Sequence, residues 1–336
     1  MAILHMDGFD GYSAAAELAY EYTTASSITF TSNTGRFGGG TVKANGYLAK
    51  TVTAGTEFWT SCALFPNQSA AGENPIFSFV SASGIEATVF YDTASQTFRA
   101  YRGNKSTLLG TSSVVSYPYQ SWGWINIRYV MHGSAGIMEV WFADTQVLNV
   151  TGANTKQNGG ATSIIQIYYG TGTSTAVGNI DDWIINDTSG STNTGRIADC
   201  RIIRTAPTSD ATPNDGTPST GSTHYTLVDE VGYGNTDYVD IPNTSGKAEM
   251  FGFASLGITP SSIKALKVST IVLKTDTDTM TVTPTIKSSG TGADGASANL
   301  STSPVRYNAV FEVDPHTSAA WTASAVNSLT AGLKVA

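Results

Sequence analysis

Apolar residues in this chain fall in short runs, about five to nine residues long, broken by Gly, Asn, Ser and Thr, which is the pattern of strands closed by turns. Between residues 28 and 204 the runs are regular: TVKANGYLAKTV, EFWTSCALF, NPIFSFV, IEATVFYD, TFRAYRG, SWGWINIRYV, GIMEVWFADTQVLNV, SIIQIYYG, NIDDWIIND and DCRIIR stand out. Alternation assigns their faces. In WINIRYV, Ile125, Ile127 and Tyr129 share one side while Asn126 and Arg128 share the other. Around Met138 both sides are largely apolar, which predicts a strand lying between two layers. About eleven such strands suit a two-sheet jelly-roll sandwich.

Residues 206–224, APTSDATPNDGTPSTGSTH, carry three prolines and no large apolar side chain, the composition of a linker. Strand patterns resume in DYVDI, AEMFGF, IKALKVSTIVLK, TMTVTPTIK and VRYNAVFEV. The division expected is therefore a sandwich at 1–205, a linker at 206–224 and a smaller β-domain at 225–336. Pro284 marks its strand as an edge. Helix is expected only in SAAAELAYEY, residues 13–22, and in the stretch from Trp321 to Leu329, with Gly332 as its C-cap.

Composition sharpens the picture. Apolar residues make up 40 %, enough for real cores, but only 13 % are charged, so hydroxyls and amides supply the polar surface. A net charge of −8 with no run of Lys or Arg is wrong for a nucleic-acid binder. No stretch approaches the ~18 apolar residues of a membrane span. MAILHMDGFDGYS lacks the basic start and apolar core of a signal peptide, so the expectation is a chain that leaves the cytoplasm, if at all, without one.

Read in order, GRFGGGTVKANGYLAKTV, EFWTSCALF, SWGWINIRYV, GIMEVWFADTQVLNV and NIDDWIIND resemble a laminin-G or concanavalin A-like sandwich. The continuation SGSTNTGRIADCRIIRTAPTSD, TPSTGSTHYTLVDEV, NTDYV and DPHTSAAWTASAVNSLTAGLKV resembles tailed-bacteriophage virion proteins that carry this sandwich ahead of a C-terminal module. The resemblance implies an all-β fold: a concanavalin A-like jelly roll, then a smaller β-sandwich with a short C-terminal helix. It also implies a structural protein on the virion exterior, in the tail, neck or fibre region or as a head decoration, assembled in the host cytoplasm with other virion proteins. The expectation is thus a non-enzymatic homo-oligomer, a trimer by preference, partly because AEMFGF offers Met250 on one face and Phe251 and Phe253 on the other. A carbohydrate-binding adhesin and a glycan-degrading enzyme are the alternatives.

Chemistry in the sequence is sparse. Glycanases on this fold need paired carboxylates. In MEVWFAD, Glu139 stands without a second acid at the right spacing. Asp181 and Asp182 are adjacent in a strand and should point to opposite faces. These two, with Asp7 and Asp10 in DGFDGY and Asp276 and Asp278 in KTDTDT, are the oxygen donors for a structural calcium, which many laminin-G-like sandwiches carry at the rim; turn chemistry is the competing reading. His5, His132, His224 and His316 lie far apart and read as surface or capping residues, without metal-site spacing. Cys62 and Cys200 read as buried thiols, with a bridge between them left open. GTGTSTAVG, 170–178, reads as a hairpin loop. The one aromatic cluster, SYPYQSWGW, offers Tyr117, Tyr119, Trp122 and Trp124 as a platform for a host surface glycan, against a core-and-loop reading of the same residues.

Overall fold

The computed structural model describes residues 2–66, 72–117, 120–168 and 178–336. The regular structure of the chain is almost all strand, and it forms two compact units, Ala2–Ile202 and Ile203–Ala336. Among the described residues no helix is long and apolar enough to cross a membrane.

In the first unit the strands are β1 (Ile3–Asp7), β2 (Thr24–Thr31), β3 (Thr41–Gly55), β4 (Glu57–Pro66), β5 (Glu73–Ser81), β6 (Gly84–Asp92) and β7 (Thr97–Arg102). There follow β8 (Thr107–Thr111), β9 (Gly123–Val130), β10 (Gly136–Phe142), β11 (Thr145–Ala153), β12 (Thr162–Tyr168) and β13 (Gly178–Asn186). They pair antiparallel in the order β11-β10-β9-β4-β13-β3-β12-β5-β6-β7-β8, with β1 on β13 and β2 on β3. Strand β3 makes a jelly roll of this path. Its first residues, Val42–Ala44, pair with β13, and the later ones, from Tyr47 to Gly55, pair with β12, so one strand serves both layers. The layers then close over each other. Phe79 of β5 stacks 4.5 Å from Tyr129 of β9, although several strands separate them along the order. At the two ends of the path, Gly110 of β8 lies so close to Val150 of β11 that an added Cβ would meet it at 2.7 Å.

Period-two patterning builds the core. Leu48, Ile167, Phe77, Val89 and Ala100 form one cross-strand row, all buried. Ile125, Ile127, Tyr129, Met138, Val140, Ile180 and Trp183 face them. The expected alternation in β9 is observed. The expectation for β10 is not: Met138, Val140 and, in part, Phe142 reach the core, while Glu139 faces Arg128 and Trp141 lies under the Arg196 guanidinium at 4.7 Å. Amphipathic side chains covered by arginine stems made an outer face look like a second core. The helix expected at 13–22 is a 3-10 turn, Ala15–Tyr20, held by Glu17 accepting from the Ser13 amide at 2.9 Å.

In the second unit come β14 (Pro207–Asn214), β15 (Thr217–Pro218), β16 (Val239–Asp240), β17 (Ala248–Phe253), β18 (Leu266–Val272) and β19 (Thr281–Ser288). The unit ends with β20 (Thr291–Asp294), β21 (Ala298–Asn299), β22 (Val305–Phe311), α1 (Ala323–Ser328) and β23 (Thr330–Val335). Its main sheet runs β14-β17-β23-β19-β20, with β21 also on β19; β18 pairs with β22 and β15 with β16.

Several expectations are corrected here. The 206–224 stretch is no linker, because β14 is an edge strand of this sheet. An edge strand contributes backbone donors and acceptors and needs few apolar side chains, so composition alone misread it. The carboxylate of Asp210 then folds the stretch back, accepting from the amides of His224 at 3.1 Å and Tyr225 at 2.6 Å. Pro284 does not mark an edge. It sits in β19 opposite the gap between β20 and β21, where no partner needs its missing N–H. Helix α1 is N-capped by Thr322, but Gly332 is no C-cap. It lies in β23, where an added Cβ would stand 1.9 Å from the Glu249 carbonyl oxygen. Met250 and Phe251 are both buried, and Phe253 packs on the cluster of Phe311, Trp321 and Leu329. The apolar excess that suggested a trimer contact is thus consumed within the unit.

Candidate functional site

Two members of the aromatic platform suggested by the sequence, Tyr117 and Trp124, belong to the interior. Tyr117 is buried, donates to the Leu64 carbonyl at 2.7 Å and packs on Tyr91 and Phe142. Trp124 is buried too, its indole N–H on the Ile197 carbonyl at 3.2 Å. Trp122 is half-buried against Phe65. Tyr119 and nearly all of the 170–178 run lie outside the described residues. Cys62 and Cys200 are both free thiols, and Cys200 is only half-buried. Burial, with Asp182 and Asp181 nearby, pushes the Cys62 thiol up. His132 caps a turn, accepting from the amides of Ser134 and Ala135. His5 and His224, read as surface or capping residues, are both buried; His5 sits between Tyr22 and Trp183, and His224, at the head of the 3-10 turn Tyr225–Leu227, pairs with Glu249 at 2.8 Å.

Asp181 and Asp182 behave differently from a strand pair. A bulge interrupts the β13–β4 register after Asp181, and Asp182 takes a left-handed backbone, φ 52°. The extra residue turns both carboxylates toward Arg36 instead of apart: Asp181 takes its amide and Asp182 lies 3.7 Å from its guanidinium, while Asp10 holds the Gly40 amide. Gly35 and Gly39 permit this approach: a Cβ on Gly39 would fall 1.7 Å from the Asp10 carboxylate, and one on Gly35 2.9 Å from that of Asp181. Burial and the neighbouring Asp182 charge push the Asp181 carboxyl up; burial does the same for Asp182, against the Ile202 amide and Arg36.

The cluster does not have the donor set of the rim calcium that the resemblance implies. Asp181 accepts the amides of Arg36 at 2.7 Å and Asp182 at 2.8 Å, Asp182 Oδ1 that of Ile202 at 2.7 Å, and Asp10 that of Gly40 at 2.7 Å. One buried oxygen, Asp182 Oδ2, has no hydrogen-bond partner, and it faces Arg36 Nη1 at 3.7 Å. Calcium takes six to eight oxygens. Among the described residues no three acidic, His or Cys side chains are gathered to hold a metal. Asp7 is occupied by the hydroxyls of Tyr12 and Tyr22, and Asp276 caps Asp278.

A second constellation went unnoticed in the sequence. On the side of β12-β5-β6-β7 turned away from the core, register aligns Gln166, Ser78, Thr88 and Tyr101 in one row across four strands. The next row holds Tyr47 opposite Tyr168, rings 5.3 Å apart, and Phe90 opposite Arg99. Small hydroxyls form the floor: Ser78 and Thr88 are 3.0 Å apart and fully covered. The Tyr168 hydroxyl donates to the Gln166 side chain, and burial pushes it up against a hydrogen bond from Ser78.

Charges on this face are tied together. Glu73 takes Arg99 at 2.6 Å, the Tyr101 hydroxyl at 2.7 Å and Lys105 at 2.7 Å, while Arg99 also reaches Asp92 at 2.8 Å. Burial works upward on Glu73, but these hydrogen bonds from Lys105, Tyr101 and Arg99 hold its carboxyl down at about 2. Lys105 lies 4.6 Å over the Phe90 ring and Tyr101 meets that ring edge-on. Beside the row, Glu86 of β6 pins the 157–160 segment. Its carboxylate accepts from Ser81 at 2.7 Å and from the amides of Gln157, Asn158, Gly159 and Gly160 at 2.8–3.3 Å. The signal was present in the alternation of SIIQIYYG and TFRAYRG, but only the cross-strand register shows that these polar positions are neighbours.

No protein-family model matches the chain, and no curated protein does. Solved structures do. The endo-β-1,4-glucuronan lyase of the fungus Trichoderma reesei is 10 % identical at a TM-score of 0.38, covering 54 % of this chain and 94 % of its own. The alginate lyase Aly36B is 11 % identical at 0.41, covering 55 % and 97 %. The cellulose induced protein Cip1 is 10 % identical at 0.41, covering 58 % and 100 %. Two of the three are lyases, which runs against the expectation of a non-enzymatic chain. At such identities and scores none of the three assigns a reaction or a ligand to this protein.

Proposed function

We propose that the first unit binds a glycan across the outer face of β12, β5, β6 and β7. The observation that carries this reading is the half-buried set of Gln166 and Tyr101, at the two ends of one row over the covered Ser78 and Thr88, flanked by the Tyr47–Tyr168 pair. Sugars present apolar ring faces and equatorial hydroxyls together, and amphipathic aromatic rings beside amides and hydroxyls complement both. The 157–160 segment pinned by Glu86 gives that face a rigid border. A glycan array followed by calorimetry on the full chain tests the proposal. Tyr168→Ala and Tyr101→Ala should each weaken binding about tenfold, equivalent to about 1.4 kcal/mol. An array without binders, or binding indifferent to both substitutions, refutes it.

A second proposal concerns where this unit is carried. The resemblance to tailed-phage virion proteins, which runs over almost the whole chain, supports a place on the exterior of a phage particle as a homo-oligomer. Low charge density fits edges and faces buried against neighbours. Mass spectrometry of purified particles and sedimentation of the isolated chain test it; absence from particles together with a monomer at high concentration rejects it.

A further inference from the structure

We infer that the glycan bound on this face is uncharged, and that polyuronates and sulfated chains are turned away. The inference rests on the glycan reading above and adds the chemical class of the ligand. A site binds an acidic chain most strongly where a cation is left open to it. Both cations placed among these side chains are already engaged. Arg99 is held between Glu73 and Asp92, and Lys105 is bound to Glu73 and laid over Phe90.

The two cations are matched by two anions, so the cluster has no net positive charge to offer. Glu73 is an anion throughout the physiological range, because burial is outweighed by hydrogen bonds from Lys105, Tyr101 and Arg99. The remaining side chains of the rows, Tyr47, Gln166, Tyr168, Ser78 and Thr88, are neutral hydroxyls and an amide. A net charge of −8 adds long-range repulsion of any polyanion.

The test uses the full chain at low ionic strength, with β-glucan, mannan and galactan as neutral probes and alginate, polygalacturonate and dextran sulfate as charged ones. At least one neutral polymer should bind ten times more tightly than every charged one. Added salt should narrow that gap by screening the repulsion. Glu73→Gln removes one anion and should raise the ratio of alginate to neutral affinity at least threefold. Asp92→Asn should move the ratio the same way and stands in if the first variant folds poorly. A charged polymer that binds best, and loses affinity as salt is added, overturns the inference while leaving glycan binding intact. Failure of every polymer to bind overturns the glycan reading, and this inference with it.

Discussion

Replacing Asp182 with Asn should make the first unit less sensitive to alkaline pH. The buried pair of Asp181 and Asp182 sits in the folded protein with carboxyls pushed up to about 8 and about 7, from 3.8, chiefly by burial. A carboxyl raised in the folded state stabilises fully below its unfolded pKa, near pH 4. That contribution is lost as the pH rises from there through the folded values, so wild-type stability should decline between about pH 4 and 9. One pKa unit corresponds to about 1.4 kcal/mol. Asp182, raised from 3.8 to about 7, therefore contributes at most about 4 kcal/mol; the Asn variant, which keeps buried Asp181, should recover on the order of 2 kcal/mol of it. The substitution spares the local structure, since an Asn oxygen can still accept from the Ile202 amide, and Arg36 keeps Asp199 and the Cys200 carbonyl as partners. The assay is thermal unfolding of both proteins across that pH range. With about 2–4 °C per kcal/mol for a unit of this size, the variant should retain on the order of 5 °C more of its low-pH Tm at pH 9. Parallel pH profiles would refute the reasoning. So would a calcium-dependent rise in the wild-type Tm that the variant lacks, because the pair would then serve a metal.

Glu86→Ala should release the 157–160 segment, with faster hydrogen exchange at the amides of Gln157 and Asn158 and a loss of about 2–3 kcal/mol, since several donors lose a charged acceptor at once. Phe79→Ala empties a core position stacked on Tyr129 and should cost about 3–5 kcal/mol in denaturant unfolding; a cost under 1 kcal/mol would show that the layers do not meet there. Gly332→Ala puts a methyl 1.9 Å from the Glu249 carbonyl and should destabilise the second unit by more than about 2 kcal/mol, read as lost exchange protection in β17 and β23.

Local pattern was enough for what depends on neighbours in sequence. Alternation in β9 located Ile125, Ile127 and Tyr129 in the core, because side chains of a strand alternate whatever the strand pairs with. The all-β class and the short helix near the C-terminus followed from run lengths and turn residues in the same way. β14 was missed for a complementary reason: an edge strand is held by backbone hydrogen bonds that leave no mark in composition. Trp124 was ambiguous because an aromatic side chain reads alike whether it is capped by the Ile197 carbonyl or open to a sugar.

What the sequence by itself determined is therefore most strands of the first unit, the faces of an amphipathic strand such as β9 and the near absence of helix, all properties of the local chain. What only the tertiary structure decided is which polar residues meet. Gln166, Ser78, Thr88 and Tyr101 come from four separate strands and become a row only through register. Asp181 and Asp182 share one environment because a single bulged residue reverses the expected alternation. Both depend on hydrogen bonds between segments distant along the chain, and a one-residue change of register would send the same side chains to the opposite face.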